Sequence, residues 1–132
     1  MAHMPLALTL LPGGFAICRL AAEAGIPAWA AQGEFFSITR TLDELSVVVS
    51  ETHVPEGMRG DSGWRCFRVE GPMPLSSVGV LASLADPLAR ASVSLFAVST
   101  FDTDYLLVKA EAVGRATRAL VAAGHTVRLC GQ

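Results

Sequence analysis

Val93-Ser-Leu-Phe-Ala-Val-Ser-Thr-Phe-Asp-Thr-Asp-Tyr-Leu-Leu-Val-Lys109 is the stretch that decides the fold. Two runs rich in Val, Leu, Phe and Tyr, Val93–Thr100 and Tyr105–Lys109, flank the polar residues Phe101–Asp104. Side chains of this kind favour a pleated, half-buried surface, and Asp-Thr-Asp between them suits a tight reversal. The stretch predicts a β-hairpin whose mouth is a seam of hydroxyls and carboxylates, Ser99 to Asp104.

Outward from the hairpin, the pattern continues on both sides. Trp64–Glu70 alternates imperfectly and reads as a strand closed by Gly71-Pro72-Met73-Pro74. Ser76 or Ser77 is placed to cap a helix, along which Val78, Leu81, Leu84, Ala85 and Leu88 recur at helical spacing. Pro87 predicts a kink or an end near Asp86, because proline costs roughly 3 kcal/mol inside a helix. Glu111–Ala123 reads as a second helix with Val113, Ala116, Leu120 and Val121 inward and Gly124 stopping it. Thr126–Leu129 is a last short strand. From Trp64 the order is strand, helix, strand, strand, helix, strand, and the simplest fold with that order is a four-stranded antiparallel sheet with two helices on one face.

The first half is less regular. Leu6–Leu11 and Phe15–Leu20 bracket Pro12-Gly13-Gly14 and predict a hairpin. Ala21–Ala31, broken by Gly25 and Pro27, allows one or two helical turns, with Trp29 as the anchor. Glu34–Thr41 and Leu45–Glu51 predict another hairpin turning at Leu42-Asp43-Glu44, and Thr52–Gly63 is a glycine-rich linker. Sliding the chain by sixty residues pairs Phe35 with Leu95, Phe36 with Phe96, Ile38 with Val98, Glu44 with Asp104, Val47 with Leu107, Val48 with Val108 and Glu51 with Glu111. The two hairpins share apolar positions, turn length and an acidic turn residue. Two related βαββαβ units follow, the first with its helices eroded: residues 4–62 and 63–132.

Composition narrows the function classes. The chain of 132 residues is 52% hydrophobic, enough for a packed core, and its net charge is −2. The ten Lys and Arg are scattered, without the basic stripe that nucleic acid requires. Cys18, Cys66 and Cys130 form no C-x-x-C pair, and an odd number fits a reducing compartment and small core hydrophobes. His53 and His125 stand alone, so neither a clustered zinc site nor a His-activated Ser or Cys nucleophile is indicated. There is no phosphate loop. Met1-Ala2-His3-Met4 reads as a vector-derived leader with the natural start at Met4. Pro5–Cys18 lacks the basic flank of a secretory signal and the unbroken apolar length of a span. A cytoplasmic protein with no membrane, metal or cofactor requirement is expected.

The seam carries its own chemistry. A free amino acid bears a carboxylate and an ammonium on one carbon, so its site needs donors and an acceptor close together. A helix starting near Ser77–Val80 offers backbone N–H groups and a positive dipole end to the carboxylate, and Gly79 lets a ligand approach them. Asp104 offers an acceptor for the ammonium, worth roughly 1.5–3 kcal/mol. Thr100 and the backbone at Phe101 can orient the same group, and the Phe101 ring can cover an aliphatic stem. Turn and cap chemistry also explain these residues without a ligand.

The residues Glu34–Glu51, Gly63–Gly71, Val78–Pro87 and Val93–Lys109 together resemble the ACT-domain family. The resemblance is to short tandem-ACT proteins related to the regulatory part of aspartate kinase and to CASTOR-type arginine sensors, and it runs from Leu6 to Val127. It implies an α+β fold of two ferredoxin-like ACT units and a regulatory, non-catalytic role. It also implies a free amino acid as ligand at an interface between ACT units, a homodimer, and a partner enzyme or regulator. The ligand-binding positions it implies are Ser77, Val78, Gly79, Val80, Thr100, Phe101 and Asp104. Where the arginine sensors have an acidic residue this chain has Ser77, a departure from the arginine-sensing pattern. A ligand-free module that only dimerises or docks on a partner enzyme is the alternative.

Overall fold

The computed structural model describes residues 5–58, 60–74 and 76–129. Met1–Met4, expected above to be vector-derived, and Cys130 therefore lie outside the described residues. Contacts divide the chain into two compact units, Met1–Pro12 with Arg65–Gln132, and Gly13–Trp64.

The first unit contains β1 (Ala7–Leu10), the end of β5 (Gly60–Val69), α1 (Val80–Arg90), β6 (Phe96–Ser99), β7 (Asp104–Lys109), α2 (Val113–Ala122) and β8 (Thr126–Leu129). Its strands lie in the order β8-β1-β5-β7-β6. Period-two alternation puts Leu8, Leu10, Phe67, Val69, Leu106 and Val108 on one face. There they meet Val80, Leu84 and Leu88 of α1 and Ala116 and Leu120 of α2 in one buried core. Burying a side chain such as Leu84 or Leu88 completely is worth about 1.5–3 kcal/mol, which is why the two helices share this face. The expected α+β arrangement is present, with helices on one face, but among the described residues this unit has five strands. β1 enters from the N-terminus, antiparallel to β5 and parallel to β8, with Leu8 opposite both Val69 and Val127. The sheet is mixed rather than antiparallel.

The second unit holds β2 (Phe15–Leu20), β3 (Ser37–Arg40), β4 (Leu45–Ser50) and the start of β5. Leu45, Val47 and Val49 of β4 pack with Ala16, Cys18 and Ala30. Its helices are reduced to single 3-10 turns, Ala28–Ala31 and Glu51–His53. Ala30 is buried completely and Trp29 packs beside it, partly exposed.

Several local expectations change. β1 and β2 do not form a hairpin, because β1 pairs with β5 and β8 while β2 pairs with β4 and β5. The linker is shorter than its glycines suggest, since Gly60 and Gly63 belong to β5. A Cβ at Gly60 would lie 2.9 Å from the Cys18 sulfur, so glycine there serves close strand approach. α1 runs through Pro87 to Arg90. Val78 precedes α1 and is 90% exposed, and Val121 of α2 is 53% exposed.

The repeat is real at a spacing of 59 rather than sixty. β3 and β4 join through residues 41–44, and β6 and β7 through 100–103, with Arg40 opposite Leu45 and Ser99 opposite Asp104. Thr41 therefore matches Thr100, and both do the same work. Each donates its backbone N–H across the turn at 2.8 Å, to Glu44 and Thr103 carbonyl oxygens, and each hydroxyl accepts the returning N–H. A one-residue slip exchanges the faces of a strand. Glu44 thus matches Thr103, and Asp104 matches Leu45.

Candidate functional site

The start of α1 forms one wall. Gly79 is the N-cap in the left-handed region, φ 81°, and no side chain caps the helix. Neither Ser76 nor Ser77 caps it, contrary to the sequence reading; the Ser77 N–H instead donates to the Pro74 carbonyl at 3.0 Å. The glycine makes the turn that a serine cap would otherwise have made. With no capping side chain and no acidic residue in the first turn, the N-terminal N–H groups and the positive dipole end stay open to an anion.

The β6–β7 turn forms the other wall. Its residues are Thr100–Thr103, one earlier than expected, because Asp104 already pairs with Ser99. The Ser99 hydroxyl donates to Asp104 Oδ1 at 2.5 Å. Thr103, nearly buried, donates its hydroxyl to the Val69 carbonyl at 2.6 Å, and the Met73 N–H donates to the Asp102 carbonyl at 2.8 Å. These two bonds pin the turn to the end of β5. Gly71 permits that approach, as a Cβ there would stand 3.1 Å from the Asp102 carbonyl oxygen.

Between the walls is an open cavity of about 350 Å³. Six of the seven residues expected from sequence line it, namely Ser77, Gly79, Val80, Thr100, Phe101 and Asp104, and Val78 does not. The lining also includes Ser99, Asp102 and Thr103, which the sequence placed in the seam without a ligand role, and Met73, Pro74, Leu81 and Ala82, which sequence reasoning missed. Thr103 had a legible signal, a threonine in a turn, but its partner on Val69 is long-range. Among the described residues the lining carries two carboxylates, Asp102 and Asp104, and no Lys, Arg or His. Phe101, 77% exposed, stands with its ring in solvent. Such a cleft offers N–H groups to a carboxylate on one side and a carboxylate to an ammonium on the other.

Elsewhere, Cys18 and Cys66 are buried free thiols. Burial raises the pKa of both, that of Cys66 to about 12, so neither is poised as a nucleophile. Among the described residues no group of His, Cys, Asp and Glu is arranged to hold a metal, and no helix is long and apolar enough to cross a membrane.

Comparison with known proteins accounts for both units. The family model described as an ACT domain matches residues 59–122, and one described as an N-terminal domain matches residues 13–57. A crystal structure of a protein from Agobacterium tumefaciens is 40% identical, with a TM-score of 0.92, and the alignment covers 98% of this chain and 97% of that one. The regulatory subunit of aspartate kinase from Thermus flavus shares the fold at 16% identity and a TM-score of 0.59, over 93% of this chain and 99% of that one. The human cytosolic arginine sensor for mTORC1 subunit 1 is 38% identical over 52 residues, which is 39% of this chain and 16% of the sensor. On these grounds residues 59–122 of the chain belong to the ACT-domain family.

Proposed function

We propose that the protein is an amino-acid-binding regulator, with a small free amino acid held in the cavity between the start of α1 and the β6–β7 turn. The observation that carries this reading is the pairing of an uncapped helix start at Gly79 with Asp104 across one cleft. The α-carboxylate would take the N–H groups of the first turn of α1. The α-ammonium would take Asp104, whose Oδ1 is already oriented by Ser99. Relatives described as an arginine sensor and as a kinase regulatory subunit support a sensing rather than catalytic role. A homodimer, an enzyme or regulator as partner, a cytoplasmic location and the two-unit division of the sequence at residues 62 and 63 belong to the same proposal.

The test is a thermal-shift screen of the twenty amino acids. A ligand of the folded state raises the melting temperature with its concentration. A folded protein that shows no shift at millimolar concentrations overturns the reading. One observation favours a second reading, a ligand-free docking module. Val78 and Phe101, 90% and 77% exposed, leave apolar surface beside the cavity.

A further inference from the structure

Pro87 lies inside α1. Its nitrogen has no hydrogen, so the carbonyl of Ser83, four residues earlier, loses its helical donor, and the ring crowds that carbonyl outward. A ring from far along the chain stands in the gap. His125, 3% exposed, places Nε2 3.1 Å from the Ser83 carbonyl oxygen. Its Nδ1 is 3.1 Å from the Leu6 nitrogen. A backbone N–H only donates, so Nδ1 accepts and the ring proton resides on Nε2, where it donates to Ser83.

Ser83 is also tied to the cavity wall. Its N–H donates to the Gly79 carbonyl at 2.9 Å, and its hydroxyl donates to the Val80 carbonyl at 2.7 Å. Gly79 and Val80 both line the cavity. Leu6 is fixed in turn, because its carbonyl accepts the Thr126 N–H at 2.8 Å. One imidazole thus links the entry of β1 to the first turn of α1.

We propose that His125 is a positioning residue for the cavity, supplying the donor that Pro87 removes and so fixing where Gly79 and Val80 stand. The proposal rests on the reading of the cavity as an amino-acid site. It predicts that the need for His125 depends on Pro87, since an alanine at position 87 restores a backbone N–H to Ser83.

The experiment compares His125→Phe, Pro87→Ala and the double variant with the wild type in three readouts. Long-range nitrogen–proton NMR of the wild-type His125 ring should show the Nε2–H tautomer. Amide exchange at Ser83 and Leu84 should accelerate at least tenfold in His125→Phe and return to within about twofold of wild type in the double variant. Binding of the amino acid giving the largest shift in a millimolar screen of all twenty should weaken at least fivefold in His125→Phe and recover likewise. An Nδ1–H tautomer, or equal effects of His125→Phe with and without Pro87, overturns the proposal. If His125→Phe does not fold, His125→Gln, which retains an N–H donor, takes its place; exchange should then stay within about twofold of wild type, and an acceleration that Pro87→Ala does not reverse is the overturning result. A wild type that binds none of the twenty, with the exchange pattern as expected, sinks the ligand reading and leaves the helix-donor role standing.

Discussion

The Ser99 hydroxyl donates to Asp104 Oδ1 at 2.5 Å across the last pair of the β6–β7 hairpin. This bond orients the carboxylate and occupies one oxygen, leaving Oδ2 as an acceptor. A ligand ammonium at that oxygen would contribute roughly 1.5–3 kcal/mol, or about a tenfold to hundredfold change in affinity. Asp104→Asn keeps the shape and an acceptor for Ser99 while removing the charge. The expected outcome is a wild-type melting temperature without ligand and a lost amino-acid response in calorimetry. A variant that binds like wild type would show that Asp104 is turn chemistry only.

Gly79 permits a second, controlled test. Its φ is 81°, and a Cβ there would meet nothing within 4 Å. Gly79→Ala therefore costs stability through backbone strain alone, about 1–2 kcal/mol. Gly57, at φ 80° with equal space around it, is outside the cavity and supplies the control. Both alanine variants should lose similar stability in denaturant unfolding. Only Gly79→Ala should also weaken the amino-acid response, because its methyl group lies where the ligand must approach the helix start.

What was legible in the sequence follows the range of the interactions. The β6–β7 hairpin was readable because apolar alternation and a polar turn are local. The seam was readable for the same reason, and six of its seven proposed residues share the cavity. Partner choice was not readable: Leu6–Leu11 beside Pro-Gly-Gly looks like half a hairpin, yet β1 pairs with residues near 68 and 127. Pro87 looked like a helix end because the donor that compensates it is 42 residues from Ser83. The repeat slipped by one because apolar matches tolerate a shift that the Thr41 and Thr100 turn bonds do not.

Thr103 tests how far the turn must be held. Its hydroxyl donates to the Val69 carbonyl and its N–H to the Thr100 hydroxyl. Thr103→Val keeps the volume, removes the first bond and leaves a buried carbonyl without that donor. The loss should be about 1–3 kcal/mol in chemical unfolding, with faster amide exchange at residues 100–104. Thr103→Ser, which retains the hydroxyl, should recover most of it. Equal losses in both variants would instead show that the hydroxyl bond to Val69 does not account for the effect.

Glu70 governs the acid side of stability in the same unit. The Thr9 hydroxyl donates to its Oε2, and Arg68 lies 3.2 Å from the same oxygen. The Thr9 bond, chiefly, and then Arg68 hold the carboxyl below the ordinary glutamate range, against the opposing effect of burial. A carboxyl depressed on folding adds stability above its unfolded pKa, and that stability is lost as pH falls through the folded value. Thr9→Val removes the largest cause, so the Glu70 titration followed by carbon NMR should move up toward ordinary glutamate. The melting-temperature gap between wild type and Thr9→Val should then be widest near neutral pH and narrow between about pH 5 and about pH 3. A gap that stays constant across that window would mean that Thr9 contributes through packing alone, since a lost hydrogen bond to the ionised carboxylate cannot survive its protonation.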